Sequence, residues 1–349
     1  GALFGHFGDK LGRKFSMFWS LFLSGIAMLL IAIMPPIGII AILLIALLRF
    51  IQGLGLGGDG GSSLALCFEY SNKSNKIGYF MSFPMAAAII GILLGLVGII
   101  VSENIESKLF LLSYGWRILI GVGALALIVS AYLRMRIVES FDFKELLKEG
   151  KTDPSPIKSI FKVYWKKILL LTLGMAYFPV ILNFVLYPYS IELYSKLGFA
   201  EKQVVLLFLI TSAIATAFTI LGGYLSDKYD WKKIVLISAV GSAVGTFLLL
   251  LHSIIGLILL YLLSALGWGA MGLYPSEFNV KLRSTGSGIV FGLIGIFPAV
   301  LLIAVLPISI ALYGIVGSLT PIISISEGIT LVSIISIIVL MRRDERGLP

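Results

Sequence analysis

The run IGIIAILLIALLRFIQGLGLGGDGGSSLALC, Ile37–Cys67, decides the fold. A bilayer core about 30 Å thick is crossed by about 20 apolar residues in helical rise. This run exceeds that length and holds one Arg and one Asp. Backbone groups in lipid must bond within their own segment, so the run is read as a helix. It is long for one crossing, and its Gly-rich part is expected to kink or emerge. Nine further runs flank it: Phe15–Met34, Ile77–Val101, Trp116–Leu133, Ile168–Tyr187, Val204–Leu225, Ile234–Leu251, Ile254–Leu273, Gly286–Ile310 and Ile322–Met341. The period-two alternation of a membrane barrel is absent. The expected class is an all-α polytopic membrane protein with ten transmembrane helices.

Composition agrees. The 349 residues are 58% hydrophobic and 13% charged, against about 25% charged in soluble domains. The net charge of +9 would suit nucleic acid, but the basic residues sit between apolar runs and so mark topology. Of the 27 Lys and Arg, 22 fall in one set of loops, four in the other, and Arg49 lies inside a run. The positive-inside rule then puts both ends of the chain in the cytoplasm. One Cys and two His offer no internal disulfide and no tetrahedral metal site, and no cofactor is expected.

The longest loop, Arg134–Lys167, holds nine basic and five acidic residues and the Pro154-Ser155-Pro156 break. It separates four spans (residues 1–133) from six (residues 168–349). Its charge density suits a solvated cytoplasmic linker, with a short surface helix over Phe141–Gly150. An internal repeat crosses this divide. GHFGDKLGRK (Gly5–Lys14) returns as GYLSDKYDWK (Gly223–Lys232). Glu69 stands eight residues before Ile77, as Glu277 stands eight before Thr285, with Gly78 and Gly286 next in line. Parallel repeats are a transporter signature. Two spans precede the second copy and none the first, so two further N-terminal spans and a twelve-span whole are expected.

At these motifs the sequence resembles the major facilitator superfamily. Gly5, Asp9, Gly12, Arg13 and Lys14 fit its loop signature G-x-x-x-D-[RK]-x-G-R-[RK]. Within it, the metabolite:proton symporter family is the nearer likeness, on LFGHFGDKLGRK (Leu3–Lys14), RFIQGLGLGGD (Arg49–Asp59), FEY (Phe68–Tyr70), YGWR (Tyr114–Arg117), VES (Val138–Ser140) and SEFNVKLRSTGSG (Ser276–Gly288). Asp59 departs from that family's usual Glu, and Val138 from its Pro. The resemblance implies alternating access by two helical bundles, with a midplane site. It implies proton-driven symport of a small carboxylate or zwitterion, such as oxoglutarate, citrate, shikimate, proline or betaine.

Individual residues sharpen this. A charge such as Arg49 near mid-bilayer costs roughly 2.5–3.5 kcal/mol and must face a cavity or a partner. Its planar fork suits a carboxylate, or it serves a structural ion pair. Gln52, one turn on, either lines the path or bonds between helices. Asp59 is a candidate proton carrier. Gly53, Gly55 and Gly58 spell G-x-G-x-x-G without the strand a dinucleotide site needs, so they are read as close helix contacts, like Gly91/Gly95, Gly241/Gly245 and Gly288/Gly292. Asn183, Tyr187 and Trp268 are candidate path residues, the tyrosine also suiting an interfacial belt. Asp9 and Asp227 suit helix N-termini. Glu69 and Glu277 end inward-running spans, where an acid is unfavourable. Each wants a cation: Arg13 or Lys14 for Glu69, Lys232 or Lys233 for Glu277. With Lys228, these residues make the cytoplasmic gate that the resemblance implies, or simple topology anchors. Glu327 is expected to be solvated or paired.

No Ser/His/Asp order or HExxH occurs, so an enzyme is not expected. A uniporter, an antiporter or a non-transporting receptor of the same fold are the alternatives. The expected partners are a small-molecule substrate, the proton and the lipid bilayer of the cell membrane, with no nucleic acid and the chain acting as a monomer.

Overall fold

The computed structural model describes residues 1–105, 114–182, 198, 200–251, 253–300, 304, 308, 311 and 319–345. All regular structure among them is helical. In order these are α1 (Ala2–Leu11), α2 (Arg13–Ala32), α3 (Ile39–Ser71), α4 (Ile77–Ile105), α5 (Trp116–Arg134), α6 (Phe141–Lys148), α7 (Pro156–Met175), α8 (Glu201–Ser226), α9 (Trp231–Leu250), α10 (Ile254–Met271), α11 (Arg283–Ile294) and α12 (Leu319–Glu345). Short helices at Tyr177–Val180, Tyr274–Glu277 and Ile296–Val300 supplement them. Among the described residues nine helices are long and apolar enough to cross a membrane, Arg283–Val300 counting as one. The expected run Ile168–Tyr187 is carried by α7 and Tyr177–Val180 as far as residue 182.

Helix starts follow local chemistry. Ser140 caps α6 by accepting from Phe143 N at 3.2 Å. Asp230 caps α9 by accepting from Lys232 N at 3.0 Å. Ser253 caps α10 by accepting from Gly256 N at 3.3 Å. Such side-chain oxygens satisfy orphan N–H groups of the first turn. The α1–α2 joint is Gly12 at φ +115°, a backbone region that strains any other residue. α3 runs as one helix through its glycines. The glycine penalty, up to about 1 kcal/mol each, is offset where the glycines admit neighbours. Gly55 lies against Ser20 and Ser24, and Gly58 against Phe4. Gly53, Gly91 and Gly95 instead face open space, so the close-contact reading does not hold for them.

The chain packs as two compact units, Gly1–Tyr70 with Leu94–Val163 and Pro275–Gly292, and Ser71–Leu93 with Tyr164–Tyr274 and Leu293–Pro349. In the first, α2 packs along α5 and α1. A stripe of small polar residues on α2, Ser16, Ser20 and Ser24, is fully buried. Ser16 accepts from Ser62 at 2.8 Å and Ser24 donates to the Gln52 carbonyl at 3.1 Å. In the second, α10 packs against α8 and α9, and α12 against α9. Ser212 and Tyr261 share a hydrogen bond of 2.9 Å, as do Ser242 and Ser264. With no hydrophobic drive between helices in lipid, such small-residue seams and hydrogen bonds hold the packing.

A side chain at Gly269 would overlap the Thr219 carbonyl of α8. Gly269→Val is therefore expected to destabilise by about 1–3 kcal/mol or more, seen as a lower melting temperature in detergent. Gly53→Val, in open space, should leave that temperature near its starting value.

Candidate functional site

The repeated loop builds the first unit's site. Asp9 of α1 and Glu69 of α3 are buried acids, and Arg13 of α2 and Arg283 of α11 are buried bases. Glu69 Oε1 accepts from Arg13 Nη2 at 3.0 Å and from Arg283 Nη1 at 3.2 Å. Arg13 also sits 3.2 Å from Asp9 Oδ1. Its guanidinium donates to the carbonyls of Gly8 at 3.0 Å and Val280 at 2.6 Å. The four charges balance, which is the condition for keeping them out of water. Aromatic faces cover both cations: Phe143 lies 4.0 Å from the Arg13 guanidinium and Phe68 4.9 Å from that of Arg283.

The linker enters this site, which its charge density did not foretell. Ser140 donates its hydroxyl hydrogen to Glu69 Oε2, and Phe143 is fully buried. Glu139 accepts from Lys14 N at 3.0 Å. The signal was present in sequence as Ser140 before Phe141–Lys148, an N-cap followed by apolar residues.

Asp9 does not serve its own helix. Its Oδ1 accepts from Ser284 N at 3.1 Å and its Oδ2 from Thr285 N at 2.7 Å. These are first-turn donors of α11, where an anion is favoured. Gly5 permits the approach, since a Cβ there would lie 2.7 Å from the Ser284 carbonyl oxygen. The repeat does the same in the second unit. Asp227 accepts from Gly78 N at 2.6 Å and Tyr79 N at 2.9 Å, the first turn of α4. Spacing within the sequence pointed each aspartate at the helix that follows it; for α9 that cap is Asp230.

The remaining candidates divide. Lys228 lies over the Tyr224 ring at 4.7 Å, and Lys232 pairs with Asp344. Glu277 is half-buried in the Tyr274–Glu277 turn. Arg49 is exposed on the flank of α3 and donates to Gln52 Oε1 at 2.9 Å. Asp59 pairs with Arg134 at 2.8 Å, and Ser63 donates to it at 2.7 Å. Its cation is thus the end of α5 and not Arg49. Trp268 is buried, donates to the Met85 carbonyl at 3.0 Å and stacks on Phe178 at 4.4 Å. Asn183 and Tyr187 lie outside the described residues. Glu327, expected solvated or paired, has its Oε2 atom buried without a hydrogen-bond partner among the described residues. No cluster of metal-ligating side chains occurs among them.

A membrane helix array with a balanced charge cluster and twinned helix-end aspartates is the build of a transport protein. The chain belongs to the Major Facilitator Superfamily, which residues 1–300 match. It is 29% identical over 321 residues to the inner membrane metabolite transport protein YhjE of Escherichia coli, covering 85% of this chain and 71% of that one. It is 36% identical over 143 residues to the alpha-ketoglutarate permease of the same organism, covering 40% and 33%. The proton:xylose symporter XylE, solved with 6-bromo-6-deoxy-D-glucose, shares the fold with a TM-score of 0.77 at 19% identity, over 98% of this chain and 82% of that one. The protein is a polytopic membrane transporter.

Two outcomes test the cluster. Glu69→Gln leaves two guanidiniums against one acid, and a stability loss of about 3–5 kcal/mol is expected, read by thermal unfolding in detergent. Asp9 lies on α1, outside the membrane runs, and burial pushes its carboxyl up to about 6 against the pull of Arg13. A folded-state value above the ordinary 3.8 means the folded protein holds the extra proton, so stability falls as pH rises from about 4 through about 6. Asp9→Asn should flatten that slope; an unchanged slope would assign it to other groups.

Proposed function

We propose that the protein is a proton-coupled symporter of a small organic acid or zwitterion, working by alternating access in the cell membrane. Residues 1–133 and 168–349 are the two moving bundles, and 134–167 is the cytoplasmic linker between them. The observation that carries the reading is the pair of aspartate brackets. Asp9 precedes the linker and holds the start of α11 beyond it. Asp227 follows the linker and holds the start of α4 before it. Hydrogen bonds to a helix end can be remade without repacking a core, which suits a gate. Glu69, Arg13, Lys14, Gly12 and Glu277 complete that gate on the side the charge bias gives to the cytoplasm. The substrates for which relatives are named, alpha-ketoglutarate, shikimate and proline or betaine, support a carboxylate-bearing cargo.

Arg49 and Gln52 are the proposed substrate anchor. Arg49 is charged, lies within a span and, among the described residues, bonds to Gln52 alone, so its remaining donors suit a carboxylate bidentately. Asp59, held by Arg134 and Ser63, is the proposed proton exchanger. The test is proton-driven uptake of candidate carboxylates into proteoliposomes, normalised to folded protein. Arg49→Gln is expected to lose about tenfold or more, the scale of a charged hydrogen bond, and Arg49→Lys to recover part of it. Unchanged uptake per folded molecule in Arg49→Gln would remove Arg49 from the mechanism.

A further inference from the structure

A slot of about 590 Å³ opens on the flank of the first unit, where α2 begins and α5 has just ended. That volume lies within the roughly 300–1,000 Å³ of small-molecule sites. Its wall is apolar: Phe15, Phe18 and Trp19 of α2, Met135 after α5, and Leu147 of α6. Phe15, Trp19, Met135 and Leu147 are exposed large apolar side chains. The rings hold one another, Phe18 against Trp19 at 5.2 Å and Phe15 against Trp19 at 6.3 Å.

Two ammonium groups, Lys14 and Lys144, line the same slot. Neither has a salt-bridge partner among the described residues. The slot's one acid, Glu139, is already engaged by backbone N–H groups, Lys14 N at 3.0 Å and Ser140 N at 3.2 Å. α2 and α5 are both membrane-spanning candidates, so their shared end marks the edge of the hydrocarbon layer. Aromatic side chains favour that level. Basic pockets beside spans at the inner surface hold anionic headgroups. Two unpaired cations over an apolar, laterally open slot are complementary to one ligand class: a phosphate-bearing head with acyl chains.

We propose that this slot is a binding site for an anionic phospholipid, its phosphate between Lys14 and Lys144 and an acyl chain along Phe15, Phe18 and Trp19. A bound lipid bridges α2 to α6. The latter is the helix whose Ser140 and Phe143 close over Glu69 and Arg13, so the lipid braces the linker against the charge cluster. The site depends on membrane placement and not on which solute is carried.

Native mass spectrometry of the purified full chain in detergent tests this, with phosphatidylglycerol and phosphatidylcholine of identical acyl chains. Preferential retention of phosphatidylglycerol is expected. Lys14→Gln with Lys144→Gln should weaken that retention on the order of tenfold to thirtyfold, at about one Lys per side of the phosphate. Lys14→Arg with Lys144→Arg keeps the charge and should keep the preference, while Lys158→Gln, at an exposed site outside the slot lining, should leave the preference unchanged. Equal retention of the two lipids, or a preference that survives the double Gln variant, overturns the proposal. So does loss of preference in the double Arg variant. Displacement of the lipid by excess inorganic phosphate would reassign the slot to a soluble anion and overturn it too.

Discussion

The carboxylate of Glu69, shared between two buried guanidiniums, is the constraint on which the first unit turns. Its Oε1 meets Arg13 from α2 and Arg283 from α11, and its Oε2 takes the Ser140 hydroxyl from the head of α6. Three segments far apart in sequence are thereby fixed to one functional group on α3. An isolated charge moved from water to a low-dielectric interior would be untenable. Here each charge is opposed, and the aromatic faces of Phe68 and Phe143 shut water out. The balance is tight rather than generous: Arg13 Nε has no hydrogen-bond partner among the described residues.

The internal repeat explains why the arrangement occurs twice. Duplicated loops place an aspartate at equivalent positions, and each aspartate finds the exposed first-turn N–H groups of a helix from the other half of the sequence. The attraction needs no particular side chain on the helix, because backbone donors supply it. Glycine at the approach is enough: Gly5 beside Ser284, and Gly223 beside Gly78. Such a recognition mode tolerates wide divergence between the two copies, and these copies have diverged widely.

Much of the fold was legible because lipid permits few structures. Apolar runs, loop charges and the repeat located the spans, and the Glu69–Arg13 pair followed from an acid at the wrong end of a helix. What was not legible depends on distance in space. The targets of Asp9 and Asp227 lie more than a hundred residues away, and sequence spacing pointed only to neighbours. Asp59 was read as a proton carrier on its own helix, and its partner Arg134 reaches it from α5. The linker's charges suggested solvent, while its few apolar residues decided its place: one buried phenylalanine outweighed the lysines around it.

The two brackets are alike in bonding and unequal in setting. Asp9 is wholly buried with Arg13 against it, whereas Asp227 is half-exposed and its neighbour Lys228 turns to the Tyr224 ring. Salt screens exposed charges far more than buried ones, and water can replace the donors of an exposed carboxylate at little cost. A buried carboxylate losing its donors keeps the full desolvation penalty. Loss of its donors would therefore cost the first carboxylate more than the second. Symmetry of sequence thus yields asymmetry of setting: the same two backbone bonds are held by a buried, ion-paired carboxylate in one copy and by a half-exposed one in the other.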